Sequence, residues 1–473
     1  MIIVVRKIVI YGAGIAGRLL SEQISNEGRY TIVAFVDDDP LRCGDEIAGV
    51  KIHSSASLGQ LLKVNSVSKV IVSIPSLSKL GQSAIIERLE ELGANAVFFP
   101  THTQIIEGKF DVDQSSFSSL IGRKASVSKI SRQELYNKNI LVTGGGGSIG
   151  SEICAQLLLS KPKTLFILDH SEFNLFKVSQ SARSIETDVK YVLADYGDRR
   201  VVRGILDEYK IDYVFHAGAY KHVTLVENNI FSSIENNIFG TLRLFGELVE
   251  HDNGRECQIV VISTDKAVNP TSVMGATKRF VELICRLFYL KYRHNIVTVR
   301  FGNVFGSSGS VIPIFVNQIK NGGPITVTDP AVERYFMSIP EAVNLVILSS
   351  LISKPGGAYF LDMGDPVNIL ELAKRLIRSF GLKPSFESSE KLKVDDIQII
   401  FTGLKQGEKI SEELSHSTHF RKTKYSEILQ CEDEISVAFE IELLLDALST
   451  AQKSGNSEQV LQLFKNPLVN YSP

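Results

Sequence analysis

The chain has 473 residues, with 51 Lys and Arg against 53 Asp and Glu and a formal charge of −2. This balance excludes the strongly basic composition of a nucleic-acid-binding protein, and it favours a small molecule as the partner. At roughly 100 to 200 residues per domain, the length predicts two or three domains. No apolar run approaches the roughly 18 residues of a membrane helix, so we expect a cytoplasmic protein without an integral membrane segment. The five cysteines are dispersed, which predicts reduced thiols and no metal site.

The first 100 residues predict a Rossmann-like domain with a small parallel sheet. An apolar strand at 7–11 leads into Gly12-Ala-Gly14-Ile-Ala-Gly17 and a helical pattern, and further strands are expected at 31–36, 69–74 and 96–99. Asp37 ends the second strand, where an acid could hold a ribose. A domain of this shape that binds no dinucleotide is an equal alternative, so its ligand stays open.

Residues 101–138 are richer in serine and charge and predict a linker. Residues 139–473 repeat the strand, glycine turn and helix plan, with strands expected at 164–168, 191–193, 213–216, 259–263 and 296–300. After about residue 300, segments punctuated by Gly and Pro, with helices near 340–350 and 369–379, predict a substrate-binding lobe. The fold class is therefore α/β, with two Rossmann-like, doubly wound parallel-sheet domains.

The second glycine turn has the spacing Thr143-Gly144-x-x-Gly147-x-x-Gly150, which resembles that of extended short-chain dehydrogenase/reductases. A helix N-terminus at such a turn offers backbone N–H groups to a pyrophosphate. Asp169 ends the next strand and would accept hydrogen bonds from adenosine hydroxyls while repelling a 2′-phosphate, which favours NAD over NADP. The candidate cofactor residues are Thr143, Gly144, Gly147, Ser148, Ile149, Gly150, Asp169, Asp195, Ala217, Ala219 and Lys278.

The catalytic motif of that superfamily, Tyr-x-x-x-Lys, is altered in this sequence. Met274 stands four residues before Lys278, and none of the fourteen tyrosines is followed by Lys at that spacing. A thioether cannot exchange the reacting proton. Either another base acts or the chain is not a catalyst. Asp265 and Lys266, directly after a buried strand, are the candidate acid and base.

The sequence resembles the nucleotide-sugar 4,6-dehydratases of bacterial polysaccharide biosynthesis over about residues 7–414. It is most similar to the membrane-associated type, here without the transmembrane region. Gly145 and Gly218 stand where that family usually has Ala, and Gln406 where it tends to have Pro. Met at position 274 resembles the subgroup that retains the C5 configuration of UDP-N-acetylglucosamine. The matching motifs lie at 36–40, 120–123, 143–152, 169–172, 216–223, 263–278, 300–303, 334–342 and 407–409.

The resemblance implies an NAD-dependent enzyme that oxidises C4 of a UDP-sugar, eliminates water across C5 and C6 and returns the hydride to C6. Lys266 would take the C5 proton, Asp265 would protonate O6, and either Asp265 or a water beside Thr264 would accept the O4 proton. Lys278 would hold the nicotinamide ribose, and a homo-oligomer is expected. The implied catalytic set is Thr264, Asp265, Lys266, Met274 and Lys278, and the implied substrate contacts are Lys221, Asn303, Arg334 and Glu408. A C5-inverting dehydratase, a 4- or 5-epimerase and a non-catalytic regulator that binds NAD or a nucleotide sugar remain alternatives.

Overall fold

A computed structural model of the chain describes residues 6–98 and 132–473, except for a set of short stretches. These stretches are 15–16, 19, 22–29, 66, 68, 75–84, 86–87, 90, 182–185, 252–256, 308, 353, 381, 388–391, 393–395, 414–419 and 432–436. The chain divides into two compact units, residues 1–117 and 118–473. The predicted linker up to residue 131 and the motif at 120–123 lie outside the described residues.

The N-terminal unit contains one six-stranded sheet. Its strands are β1 (Arg6–Tyr11), β2 (Tyr30–Asp37), β3 (Glu46–Ile47), β4 (Val50–Ser54), β5 (Lys69–Val72) and β6 (Asn95–Phe98), and its described helix is α1 (Leu58–Asn65). The order is β3-β4-β2-β1-β5-β6, and every pairing except that of β3 with β4 is parallel. Ile8, Val9 and Ile10 are all buried, as expected of a parallel strand covered on both faces. The predicted parallel sheet is confirmed.

The second unit is built on a nine-stranded sheet in the order β21-β22-β17-β12-β11-β10-β7-β8-β9. The pairings from β9 to β17 are parallel, and β22 and β21 add two antiparallel strands. These nine strands are β7 (Asn139–Thr143), β8 (Thr164–Asp169), β9 (Asp188–Leu193), β10 (Tyr213–His216), β11 (Gln258–Thr264), β12 (Ile296–Phe301), β17 (Ala358–Leu361), β21 (Phe420–Lys422) and β22 (Ile428–Cys431). Both predicted Rossmann-like sheets are therefore present.

Helices cover both faces of this sheet, so alternate residues of its strands enter two separate cores. Leu141 and Val261 belong to one apolar cluster, and Val142 and Val260 belong to the other. The helices are α2 (Ser148–Leu158), α3 (Glu172–Ser181), α4 (Arg199–Glu208), α5 (Val223–Glu227), α6 (Ile230–Ser233), α7 (Thr241–His251), α8 (Val273–Tyr292), α9 (Val311–Lys320), α10 (Ile339–Ile352), α11 (Ile369–Ser379), α12 (Ala438–Lys453) and α13 (Ser457–Phe464). Residues Ile234–Gly240 form a π-helical segment between α6 and α7.

Beyond Phe301 the chain builds the predicted lobe from small sheets. These pair β13 (Asn303–Phe305) with β16 (Phe336–Ser338), β15 (Glu333–Arg334) with β18 (Val367–Asn368), and β20 (Asp396–Phe401) with both β14 (Ile325–Val327) and β19 (Lys383–Ser385). The lobe is not continuous in the sequence, because β17 and β22 belong to the nine-stranded sheet. The two helices predicted at 340–350 and 369–379 are confirmed as α10 and α11.

The C-terminal segment, for which no element was predicted, is helical over Ala438–Lys453 and Ser457–Phe464. In α12, Ile441, Leu444, Leu445 and Leu448 are buried in the same apolar cluster as residues of α8. Their spacing is the i, i+3, i+4, i+7 pattern of one helix face. The C-terminal helices thus support the helix that carries Met274 and Lys278.

Candidate active site

The second glycine turn lies between β7 and α2 and packs against the loop after β10. Gly144 has a φ of +64°, and a Cβ there would lie 2.6 Å from the Cα of Gly218. A Cβ on Gly218 would in turn meet the ring of Tyr196 at 2.7 Å. Glycine at position 218, where Ala is usual in the resembling family, is therefore explained by the neighbouring tyrosine ring.

The acids predicted to hold ribose hydroxyls also hold the glycine turns. In the second unit Asp169, which is 5% exposed, accepts the N–H groups of Gly146 at 2.9 Å and Ser171 at 2.8 Å. In the N-terminal unit Asp37 accepts the N–H of Ala13 at 2.7 Å in the same way. Each oxygen of Asp169 accepts one N–H and retains a lone pair for a ribose hydroxyl, whereas Asp37 Oδ2 also accepts Arg42 Nη1 at 3.4 Å.

Thr143 has a different role from the one that the sequence suggested. Its side chain is fully buried, and its Oγ1 lies 2.7 Å from Nδ1 of His216. Burial lowers the pKa of His216 to about 3, so the ring is neutral and serves packing. The Thr143 side chain supports the turn from within, because the hydroxyl points to the protein interior. Asp195 is exposed, and its Oδ1 accepts the N–H of Gly197 at 2.6 Å.

A cavity of about 540 Å³ opens at the start of α2. The N-cap of this helix is Gly147, which has no side chain to occupy the first N–H groups. Such an N-terminus suits the pyrophosphate of a dinucleotide. The predicted cofactor residues that line this cavity are Gly147, Ser148, Ile149, Gly150, Ala217 and Ala219. This chemistry and shape fit NAD.

A second cavity, of about 400 Å³, shares Ile149, Ala217 and Ala219 with the first. It lies between the ends of the strands and the lobe. It brings together four of the five predicted catalytic residues and all four predicted substrate contacts, namely Thr264, Lys266, Met274, Lys278, Lys221, Asn303, Arg334 and Glu408. Residues that are up to 187 positions apart in the chain thus face one space.

Asp265 lies directly behind this cavity. It is 1% exposed, and its Oδ1 accepts hydrogen bonds from Thr264 Oγ1 at 2.8 Å and Lys266 Nζ at 3.1 Å. Its Oδ2 is buried and has no hydrogen-bond partner among the described residues. Gly302 lies next to this oxygen, since a Cβ on Gly302 would be 2.7 Å from it. Asp265 is therefore connected to the cavity by its hydrogen bonds with Thr264 and Lys266, and it does not line the cavity itself.

The ammonium of Lys266 has acceptors on three sides. Besides Asp265, Nζ lies 3.4 Å from Asn303 Oδ1 and 3.4 Å from Glu412 Oε1. Burial opposes the charge on Lys266, but the carboxylates of Asp265 and Glu412 outweigh this effect and raise its pKa. A raised pKa makes the corresponding amine a stronger base.

Helix α8 places Met274 and Lys278 one turn apart. The helix begins at an N-cap formed by Ser272, whose Oγ accepts the N–H of Gly275 at 3.1 Å. Met274 is 4% exposed and Lys278 is 8% exposed. Burial lowers the pKa of Lys278 to about 8. Since Met274 cannot exchange a proton, the acid and base at this end of the cavity must lie elsewhere.

Arg334 and Glu408 form an ion pair in the lobe. Arg334 Nη2 lies 3.1 Å from Glu408 Oε1, and Nη1 donates to the carbonyl oxygens of Glu333 and Ile410. Glu408 also accepts a hydrogen bond from Thr328 Oγ1 at 3.0 Å. These contacts fix the guanidinium at the cavity wall, where it is suited to phosphate oxygens.

Comparison with known proteins places the chain in a family. The model of the family described as polysaccharide biosynthesis protein matches residues 140–433. The capsular polysaccharide biosynthesis protein CapD of Staphylococcus aureus is 37% identical over 455 residues, covering 93% of this chain and 74% of that protein. The chain belongs to the polysaccharide biosynthesis protein family.

Three further matches were found, of which the first agrees with this assignment. The probable polysaccharide biosynthesis protein EpsC of Bacillus subtilis is 39% identical over 428 residues, covering 86% of this chain and 68% of that protein. The X-ray structure of Pen from Bacillus thuringiensis matches with a TM-score of 0.55 and 30% identity, covering 66% of this chain and 98% of that one. Residues 7–78 match the model of the PglD N-terminal domain. Membership of a polysaccharide biosynthesis family is confirmed. The predicted 4,6-dehydratase activity and its substrate remain proposals.

Sequence reasoning missed one ionisable residue of this polysaccharide biosynthesis protein. Glu412 is 7% exposed and contacts Lys266, which lies 146 positions earlier in the chain. A signal for it exists, because Glu412 follows Glu408 by four residues in the segment 407–413. Among the described helices, none combines the length and apolarity needed to cross a membrane.

Proposed function

We propose that this protein is an NAD-dependent UDP-N-acetylglucosamine 4,6-dehydratase, which forms a UDP-4-keto-6-deoxy-N-acetylhexosamine. The observation that carries the proposal is the hydrogen-bonded pair of Asp265 and Lys266 at the end of a central strand, beside Met274 in place of the usual tyrosine. An acid and a base adjacent to each other suit an elimination, which must remove a proton and protonate a leaving hydroxyl.

The cofactor proposal rests on the fit of the first cavity. Its glycine turn, uncapped helix start and small side chains suit a dinucleotide, and Asp169 favours NAD over its phosphorylated form. When bound, NAD would supply the temporary oxidation at C4 of the sugar and the return of the same two electrons to C6. Lys278, which lines the second cavity, would hold the nicotinamide ribose where the two cavities adjoin.

The protein's own residues would handle the protons. Because its pKa is raised, Lys266 starts as an ammonium and must first release one proton to solvent. Asp265 as carboxylate would then accept the O4 proton through the hydroxyl of Thr264, which is 2.8 Å away. The resulting C4 ketone makes the C5 proton more acidic, and Lys266 would take it. Asp265, now protonated, would pass its proton through the hydroxyl of Thr264 to the departing C6 hydroxyl, which leaves as water. Lys266 would then return its proton to C5. Every proton taken up by a side chain is thus given back.

The test uses the purified full chain with NAD and UDP-N-acetylglucosamine. We expect a product lighter by one water and a C5 configuration that is retained in its NMR spectrum. A 4-epimerase would give a product of unchanged mass, the C5-inverting enzyme would give the opposite configuration, and a non-catalytic regulator would bind without turnover. Any of these results would overturn the proposal.

The variant Lys266→Ala should lower the rate of water loss by about 10²- to 10⁴-fold, which is the usual contribution of a general base. Lys161→Ala is the matched control, since Lys161 is half exposed and pairs with Glu186 at the surface. Full activity of Lys266→Ala would refute its role as the base.

A further inference from the structure

Glu412 is a buried carboxylate without a part in the reaction as written. Its side chain is 4% exposed, and its Oε1 lies 3.4 Å from Lys266 Nζ. The residue belongs to the segment after β20, whereas Lys266 follows β11 of the main sheet. A buried carboxylate costs free energy unless a cation or donors compensate it. In the folded chain, Glu412 nevertheless lies beside Lys266, the proposed base.

The three acceptors around Lys266 match the three hydrogens of its ammonium. They are Asp265 Oδ1 at 3.1 Å, Asn303 Oδ1 at 3.4 Å and Glu412 Oε1 at 3.4 Å. When Lys266 is an amine, it has two hydrogens and one lone pair. Glu412 and Asn303 both lie 3.4 Å from Nζ. Glu412 is the member of this pair that carries a charge.

We propose that Glu412 is a positioning residue that stabilises the ammonium formed when Lys266 takes the C5 proton. This inference rests on the proposed dehydratase function. The physical reason is that a negative charge within about 4 Å of a buried cation favours the charged form. Proton abstraction creates that cation, so the carboxylate acts on the step that Lys266 performs and not on the binding of the nucleotide.

The first experiment compares Glu412→Gln with Glu413→Gln in the NAD-loaded full chain. Glu413 is a matched control because its side chain is 52% exposed and contacts Lys409 at 3.6 Å, away from Lys266. We expect Glu412→Gln to lower kcat for water loss by about tenfold or more, within the range for a general base, with little change in KM. Glu413→Gln should keep the kcat of the wild type.

The second experiment measures Lys266 without turnover. The protein is labelled with acetic anhydride over a range of pH in the absence of sugar, and modification of Lys266 is read by mass spectrometry. Loss of the Glu412 charge should move the midpoint of Lys266 labelling to lower pH, while Glu413→Gln should leave the midpoint unchanged. Glu412→Asp keeps the charge and should stay closer to the wild-type midpoint than Glu412→Gln.

The outcomes separate the two proposals. If the wild type removes water but Glu412→Gln keeps both the wild-type kcat and labelling midpoint, the role of Glu412 is wrong. An Asp variant with a midpoint as low as that of the Gln variant would likewise overturn the role of charge. If the wild type does not remove water, the dehydratase proposal fails, whereas the labelling midpoint still reports whether Glu412 controls the protonation of Lys266.

Discussion

The ion pair of Glu282 and Arg300 lies in the interior beside β11, and we expect its disruption to destabilise the second unit strongly. Their side chains are 5% and 1% exposed. Arg300 Nε and Nη2 donate to the two carboxylate oxygens of Glu282, each at 2.7 Å. Ser263, immediately before Thr264, donates to the same carboxylate at 2.7 Å. The perturbation is Arg300→Met, which leaves the buried Glu282 charge without its main partner.

The magnitude follows from the pKa of Glu282. Burial alone would raise this pKa, but the guanidinium of Arg300 outweighs burial, and with Arg279 and Ser263 it lowers the pKa to about 2. Relative to an ordinary value near 4.3, this difference corresponds to about 3 kcal/mol. Removing one partner of a buried ion pair typically costs about 3 to 5 kcal/mol. Because the pKa is depressed in the folded state, this stabilisation is complete above about pH 4.3 and is lost as the pH falls toward 2.

The assay is urea-induced unfolding at pH 7 of Arg300→Met, Glu282→Met and the double variant. We expect Arg300→Met to lose about 3 to 5 kcal/mol of unfolding free energy. The double variant should recover much of this loss, because the buried Glu282 charge is removed together with that of Arg300, while Arg279, whose side chain is 14% exposed, loses its contact with Glu282. A loss below about 1 kcal/mol for Arg300→Met, or a double variant no more stable than the single one, would refute the reasoning.

Three further outcomes follow from the site. Gly144→Ala should abolish NAD binding measured by calorimetry and lower the melting temperature, because a Cβ at a φ of +64° would lie 2.6 Å from Gly218; unchanged affinity would contradict this. Since the pKa of Lys278 is about 8, its ammonium is lost between pH 7 and pH 9, and the affinity for NAD should fall over this range. The variant Lys278→Met should bind NAD more weakly than the wild type at pH 7 and should not show this pH dependence. Arg334→Lys should raise KM for the nucleotide sugar about tenfold or more, because the planar guanidinium is lost and Glu408 loses that ion-pair partner. An unchanged KM would argue against a contact between Arg334 and phosphate.

Much of the second unit could be predicted because its signals are local. The turn from Gly144 to Gly150 lies directly between a strand and a helix, and the strand ending at Thr264 places Asp265 and Lys266 at the carboxyl edge of a parallel sheet. The helix α12 was missed although it has a regular apolar spacing, because the unpatterned segment before it gave no sign of its start. A helical spacing of hydrophobic residues predicts a helix only when the residue at which the helix begins can also be recognised.

The sequence by itself determined the fold class, the glycine turn and the residue types that could move a proton. Only the tertiary structure decided that Asp265 lies behind the cavity, that the side chain of Thr143 faces the interior and that Glu412 meets Lys266. The reason is that a turn or a strand depends on residues that are neighbours in the sequence. The ion pair of Lys266 and Glu412 joins residues 146 positions apart, so it depends on how the lobe packs against the sheet. The pKa of each group then follows from that packing, since burial and nearby charges are properties of the folded chain.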